Sequence, residues 1–313
     1  MDSKAKYPKD FQEFLEQFKD EVSCRNYLFE MRWPNGFICP KCKSNVKHWL
    51  TAKNMIHCGI CGHQASLTAG TIFHGTRKPL LLWFHIMWWV AAQKTGVSAS
   101  NMMDFMGFGS YKTVWTWLQK LRRAMLRPGR DKLSGIIEVD ETYIGRTEIG
   151  MGKQGKDAET KVLVVIATEC IGKKIGRVRF KCIKEATPEN LIPFITNNVK
   201  PGSTVITDDR IGYKSLRQTN DYKHKIKNRS KSKKDSPELL PHIYLVDSLV
   251  KRWLHGTHQG KVSPKYLPYY LDEFAFRFNK KISTNRGWLF YMLIRQAIEI
   301  GHIGKNEIVG KTT

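Results

Sequence analysis

Acidic residues are the scarcest charged class in this chain: 28 Asp and Glu stand against 52 Lys and Arg in 313 residues, a net charge of +24. So large a deficit implies a polyanionic partner, because each Lys or Arg that neutralises a phosphate releases condensed counterions. Nucleic acid and anionic membrane are both polyanions, and charge alone does not choose between them. Long hydrophobic runs are missing too. The most apolar stretch, Leu80–Ala92 (LLLWFHIMWWVAA), has 13 residues and carries His85, whereas a spanning helix needs about 20. It reads as a core helix, and no membrane partner is expected. The first 20 residues are charged throughout, which excludes a secretory signal. Cysteine is sparse and odd in number, seven in all, which argues against a disulfide framework. Four of the seven fall at metal spacing, which suits a reducing cytoplasm. Apolar residues are not lacking: 41% hydrophobic content and nine Trp can build a sizeable core. The length favours two domains, or one large domain with an appendage.

Cys39-Pro-Lys-Cys42 and Cys58-Gly-Ile-Cys61 form two C-x2-C pairs separated by fifteen residues. Each pair sets two thiolates on a tight knuckle, and the interval allows a hairpin to bring the knuckles together. Four thiolates close a tetrahedral structural Zn2+ site with no position left for catalysis. Lys41 and Lys43 beside the first knuckle favour the thiolate form. His57 and His63 flank the second pair and read as surface residues next to a complete ligand set. Cys24, Cys170 and Cys182 have no partner at metal spacing.

After Pro79, the apolar helix is followed by a short helical stretch, a Gly107-Phe108-Gly109 turn and a longer helix opened by Ser110. Two helices joined by a short Gly-containing turn match the helix-turn-helix pattern. In that pattern Ser110, Tyr111 and Lys112 stand where recognition helices meet base edges. Lys120, Arg122 and Arg123 lie farther along and would hold phosphates. The same pattern also fits a three-helix packing module with Trp115 and Trp117 in its core.

From residue 135 the character changes to strands: 135–144 (GIIEVDETYI), 161–168, 175–183, 202–207 (GSTVIT) and 222–227. A helix from 188 to 198 interrupts them, and helices from 241 to 256 and 264 to 281 follow. A three-stranded meander, a crossover helix, then further strands and helices is the order of an RNase H-like α/β domain. It predicts a mixed sheet with flanking helices. In that layout Asp140 lies on the central strand and Asp208 ends the fourth. If those strands are neighbours, both carboxylates open into one crevice, where they can hold Mg2+ or Mn2+ for phosphoryl transfer. Taken singly, each could equally be an ordinary strand-end acid.

Three blocks carry a resemblance: Val139-Asp140-Glu141-Thr142-Tyr143-Ile144-Gly145; Thr207-Asp208-Asp209 with Gly212-Tyr213; and Lys251-Arg252-Trp253-Leu254-His255-Gly256-Thr257-His258. Together with Tyr270-Leu271-Asp272-Glu273-Phe274 they resemble insertion-sequence transposases that place a zinc ribbon before a DDE-type domain, related to the Merlin elements. The resemblance runs from about Phe11 to Ile300. It implies double-stranded DNA as substrate and target, binding to terminal inverted repeats, metal-dependent cleavage and strand transfer, and a homodimer or higher assembly on DNA. It makes Asp140 and Asp208 the first two magnesium ligands, with Asp209 only a neighbour.

The third ligand departs from that pattern. In the resembling enzymes it precedes a Lys by seven positions on a helix; counting back from Lys251 gives Tyr244, with 35 residues between it and Asp208. Tyr, with an ordinary pKa of about 10, is a poor Mg2+ ligand. Asp247, three residues on and so on the same helical face, is the substitute candidate, and His242 a weaker one. A decayed, DNA-binding copy is the alternative reading, and a zinc-ribbon nuclease without strand transfer a further one. The basic run 225–234 (KIKNRSKSKK), with Lys231, Lys233 and Lys234, reads as a backbone-tracking loop, and Lys251 and Arg252 as further DNA contacts. The expected division is 1–75 for an N-terminal helix and zinc ribbon, 76–130 for the helical DNA-binding segment, 131–300 for the RNase H-like domain and 301–313 for a tail. The expected location is the cytoplasm, associated with the nucleoid.

Overall fold

A computed structural model describes residues 6–45, 48–51, 55–127, 129–145, 161–228, 239–260, 262–281, 285–304 and 307–308. The chain forms two compact units: residues 1–128 with 283–313, and residues 129–282.

The first unit begins with α1 (Phe11–Gln17) and α2 (Glu21–Arg32), each opened by an Asp whose side chain accepts a first-turn backbone N–H. Asp20 and Ser23 complete a reciprocal capping box on α2. Three short strands follow as an antiparallel sheet, β1 (His48–Leu50), β2 (Ile56–Cys58) and β3 (Gln64–Ala65). Next come α3 (Leu80–Ala92), α4 (Ala99–Met106) and α5 (Tyr111–Ala124). Gly107 ends α4 at φ 66°, a left-handed conformation that glycine adopts without steric cost. The core is aromatic: Phe14 lies 5.2 Å from Phe18, 4.8 Å from Trp88 and 5.3 Å from Phe290, measured between ring centroids. Phe290 belongs to α9 (Arg286–Glu299), which packs on α3. This corrects the expected boundary at residue 300: the last helix is part of the N-terminal unit. Its apolar residues Leu289, Phe290 and Leu293 are buried among the rings of α1 and α3, and no local sequence signal discloses that choice.

The second unit is a five-stranded mixed sheet in the order β6-β5-β4-β7-β8. Its strands are β4 (Ile136–Gly145), β5 (Lys161–Ile171), β6 (Lys174–Ile183), β7 (Thr204–Thr207) and β8 (Lys223–Ile226). Strands β4, β5 and β6 form an antiparallel meander; β7 joins β4 in parallel and β8 joins β7 in parallel. This is the RNase H-like arrangement, and α6 (Pro188–Asn198) makes the crossover between β6 and β7. One face of the sheet packs Ile137, Val139 and Val205 against Leu191, Phe194 and Tyr213. The other packs Ile144, Val164 and Ile166 against α7 (Pro241–His258) and α8 (Leu267–Asn279). Period-two alternation along β4 therefore sends odd-numbered residues to α6 and even-numbered ones to α7. No described helix is long and apolar enough to cross a membrane.

Candidate metal centres and nucleic-acid interface

The four ribbon cysteines converge. Cys39 Sγ lies 3.6 Å from Cys61 Sγ, and Cys42 Sγ lies 3.7 Å from Cys58 Sγ. A zinc ion about 2.3 Å from each of four tetrahedral thiolates spaces the sulfurs about 3.8 Å apart, so the set fits structural zinc. The two knuckles share one hydrogen-bond plan. Lys43 N donates to Cys39 O at 2.9 Å and Gly62 N to Cys58 O at 3.1 Å, with both donors in the left-handed region. The Ser44 hydroxyl, 2.8 Å from Cys42 Sγ, helps bring that thiol down to about 6. His57 stacks on Trp49 at 4.3 Å and is outside the ligand group. By contrast, burial pushes Cys24, Cys170 and Cys182 up to about 12, so they behave as apolar filling.

The sheet register relates two of the acidic residues. Parallel pairing matches Ile136 with Thr204 and Glu138 with Ile206. Continued by two residues, that register sets Asp140 level with Asp208. Asp208 is 5% exposed and its Oδ1 accepts the Arg210 backbone N–H at 3.1 Å; Asp209, the next residue, is exposed. Asp140 Oδ1 accepts the Glu141 N–H at 2.9 Å.

On either side of Asp140, β4 is pinned to α7. The Glu138 carboxylate accepts the backbone N–H groups of His242 and Ile243, each at 3.0 Å, and its Oε1 lies 2.9 Å from His242 Nδ1. Thr142 Oγ1 accepts Lys251 Nζ at 2.9 Å, and the same ammonium reaches Asp247 Oδ2 at 2.8 Å. Asp247 thus lies between the pins on the helix, as Asp140 does on the strand. Its Oδ1 is buried and has no hydrogen-bond partner among the described residues. A buried orphan carboxylate oxygen of this kind suits a cation ligand. Tyr244, in the slot counted from Lys251, is 53% exposed. His242 has both ring nitrogens engaged, Nε2 lying 3.0 Å from Gly172 O. Its cluster with Glu138 and Cys170 is a closed hydrogen-bond network rather than a metal site.

Glu141, which sequence reasoning passed over, is buried on the opposite face with both carboxylate oxygens lacking hydrogen bonds among the described residues. Arg210 Nε stands 3.4 Å from Glu141 Oε2 and 3.9 Å from Asp208 Oδ2, linking the two acids. Burial raises the Glu141 carboxyl and Asp208 adds to the rise, while Tyr213 and Arg210 oppose it. Tyr213 is driven well up by burial and by the Glu141 charge. Gly212 allows this seating: a Cβ there would meet Ala186 O at 2.6 Å. The available signal was Glu141's place inside a hydrophobic strand directly after Asp140.

The helix-turn-helix candidates separate by exposure. Tyr111 and Lys112 are exposed at the first turn of α5, where the Ser110 side chain makes no cap bond. Beyond that turn the helix is core: Val114, Trp117, Leu118 and Leu121 are buried. Arg122 must be corrected as a phosphate contact. It is 2% exposed and its Nη2 donates to Val97 O at 3.3 Å, because its position falls on the buried face. Lys120 and Arg123 are half-buried, and Arg252 is exposed. Lys251 is committed to Thr142 and Asp247. Lys231, Lys233 and Lys234 lie outside the described residues.

Comparison with known proteins gives two family matches. The ISXO2-like transposase domain family matches residues 132–279, and the transposase zinc-ribbon domain family matches residues 19–64. The chain thus carries a match to a transposase zinc ribbon followed by a match to an ISXO2-like transposase domain. An uncharacterized protein in the transposable element ISH50 of Halobacterium salinarum is 25% identical over 282 residues, covering 84% of this chain and 92% of that one. Among solved structures, a chain of a simian T-cell lymphotropic virus intasome in complex with the PP2A regulatory subunit B56 gamma is similar over 56% of this chain and 67% of its own. Its TM-score is 0.30 and its identity 11%.

Proposed function

We propose that the protein binds the terminal inverted repeats of a DNA insertion sequence and catalyses divalent-metal-dependent DNA cleavage and strand transfer, acting in the cytoplasm on nucleoid DNA as a dimer or higher assembly. The observation that carries the reading is the register of β4 and β7, which aligns Asp140 with Asp208 while Asp247 offers an unpaired oxygen from α7. Asp140, Asp208 and Asp247 are the metal-holding residues in this reading. A Mg2+ or Mn2+ ion bound there supplies Lewis-acid charge and makes a bound water or 3′-hydroxyl a stronger nucleophile. Lys251 orients Asp247 and holds it against Thr142. Arg210 keeps Asp208 in place and tempers the crowded negative charge.

Asp140→Ala and Asp208→Ala should each abolish Mn2+-dependent nicking and the joining of pre-cleaved ends bearing a 3′-hydroxyl, while DNA affinity is kept or raised. Asp247→Ala should be equally damaging and Tyr244→Phe mild. Activity that survives Asp140→Ala sinks the metal assignment. A second reading, a decayed DNA-binding copy, is favoured by the exposed Tyr244 in the ligand slot. It predicts an inert wild type whose cleavage appears on Tyr244→Glu.

A further inference from the structure

Beside α5, in the first unit, lies a pocket of about 310 Å³ lined by His74, Arg77, Lys78, Lys112 and Lys120, with Trp83 and Trp117 among its walls. Among the described residues, no Asp or Glu lines it. The floor is rigid. Trp83 and Trp117 stack with centroids 3.7 Å apart and planes 9° off parallel, and Trp83 Nε1 donates to Thr76 Oγ1 at 3.0 Å. Thr76 Oγ1 in turn accepts Lys78 N and donates to Lys78 O, both at 3.3 Å, which shapes the loop bearing Arg77 and Lys78. Lys120 is half-buried at one wall, its Nζ reaching a backbone carbonyl, Ile72 O, at 3.4 Å. Burial lowers its pKa. His302 packs edge-on against His74 at 4.5 Å; burial, then His74 and Lys120, lower its pKa, with Glu307 pulling the other way.

Partly desolvated cations that share a concavity without carboxylates repel one another, and an anion relieves that repulsion. The exposed first turn of α5 adds its own positive end to the same place. We propose that this pocket seats one phosphodiester group of a DNA strand, with Lys120 at its wall and Arg77, Lys78 and Lys112 at its rim, above the buried Trp83–Trp117 stack. The inference rests on reading the chain as a protein that acts on DNA. It adds a loop, 74–78, that the helix-turn-helix pattern does not contain. Phosphate binding of this kind positions DNA without reading its sequence.

The test uses the full-length, zinc-loaded protein and short duplexes of unrelated sequence, without divalent metal, followed by fluorescence anisotropy across a salt series. Arg77 and Lys112 are exposed, so Arg77→Gln with Lys112→Gln should leave the fold intact. Affinity should fall about tenfold on every duplex, and the slope of log affinity against log salt should shrink by about 0.9 for each phosphate no longer neutralised. Lys120→Met, checked by thermal melting, should act likewise, and Lys120→Arg should restore binding. Unchanged affinity and slope in the double variant overturn the proposal, as does a loss confined to one duplex sequence. Calorimetry with inorganic phosphate distinguishes a free-anion site: tight phosphate binding that the variant loses, with DNA affinity unchanged, also overturns it. Asp140→Ala protein gives the same binding readout, so failure of the catalytic reading leaves this test standing.

Discussion

The cysteine centre of this chain and the acidic centre proposed for it are built in opposite ways. The cysteine centre draws all four donors from residues 39–61, on two knuckles with the same hydrogen-bond plan. The proposed acidic centre would draw Asp140, Asp208 and Asp247 from β4, from the end of β7 and from α7, with more than a hundred residues between first and last. A ribbon site is held by its ligands and its ion, so its metal affinity is its folding energy. A carboxylate site of this kind is held by a finished sheet and core, which must exist before the acids can meet. The difference teaches where each centre is fragile: the first to loss of one donor, the second to loss of the groups that align its elements.

The largest effect expected of that contrast is on the ribbon. Cys39→Ser or Cys58→Ser should strip the zinc and unfold residues 39–61, since structural zinc supplies on the order of 10–16 kcal/mol of apparent local folding energy. The second unit should melt as before. Reductively purified wild type should contain one zinc per chain by metal analysis, and protein lacking it would break the comparison.

Next comes the pin between β4 and α7. Glu138 is 3% exposed and serves two backbone donors and His242. Glu138→Ala should destabilise the second unit by about 2–4 kcal/mol, because the N-terminal donors of α7 lose their acceptor. Cleavage should fall with it even though no proposed ligand is changed. Full activity in a destabilised variant would show that Asp247 keeps its place without this pin.

A smaller change is expected at Glu169, which bonds Arg177 through both carboxylate oxygens, at 2.9 and 2.6 Å, and accepts Ser134 N. Burial alone would raise its pKa, but Arg177 and the backbone donors hold it below the ordinary value. The folded pKa is depressed, so the stability it contributes is present above the unfolded carboxylate value and is lost as pH falls through the folded one. Glu169→Gln should cost about 1–2 kcal/mol at pH 7, discounting the half-exposed Arg177. In denaturant titrations the gap from wild type should close toward pH 3, and a gap constant with pH would remove Glu169 from the account. The smallest effect belongs to Tyr244→Phe, which removes only an exposed hydroxyl and should change stability by less than about 0.5 kcal/mol.

Local pattern carried much of the fold. The interval of the C-x2-C pairs specified the ribbon, because knuckle geometry depends only on neighbouring residues. The β-rich runs of 135–183 and the Pro-opened helices at 188 and 241 were legible from period and punctuation, and the structure reproduces them closely. What stayed hidden depends on which face meets which neighbour. Arg122 looked like a surface cation because a helix written as sequence has no inside, and packing of α5 turned it toward Val97. Residues 286–299 read as the end of the catalytic domain, but their ring and leucines are buried in the aromatic core of the other unit.

By itself, then, the sequence determined the ribbon ligands, the order of strands and helices and the basic character, all properties of spacing and composition. Tertiary structure alone decided that β4 and β7 pair in a register that, continued, brings Asp140 level with Asp208, that Asp247 rather than Tyr244 turns inward, and that the Glu141 side chain is enclosed on the other face. The physical reason is that strand register and helix rotation are set by burying the apolar faces of distant segments against one another. A carboxylate's surroundings follow from that burial, not from its immediate neighbours in the chain.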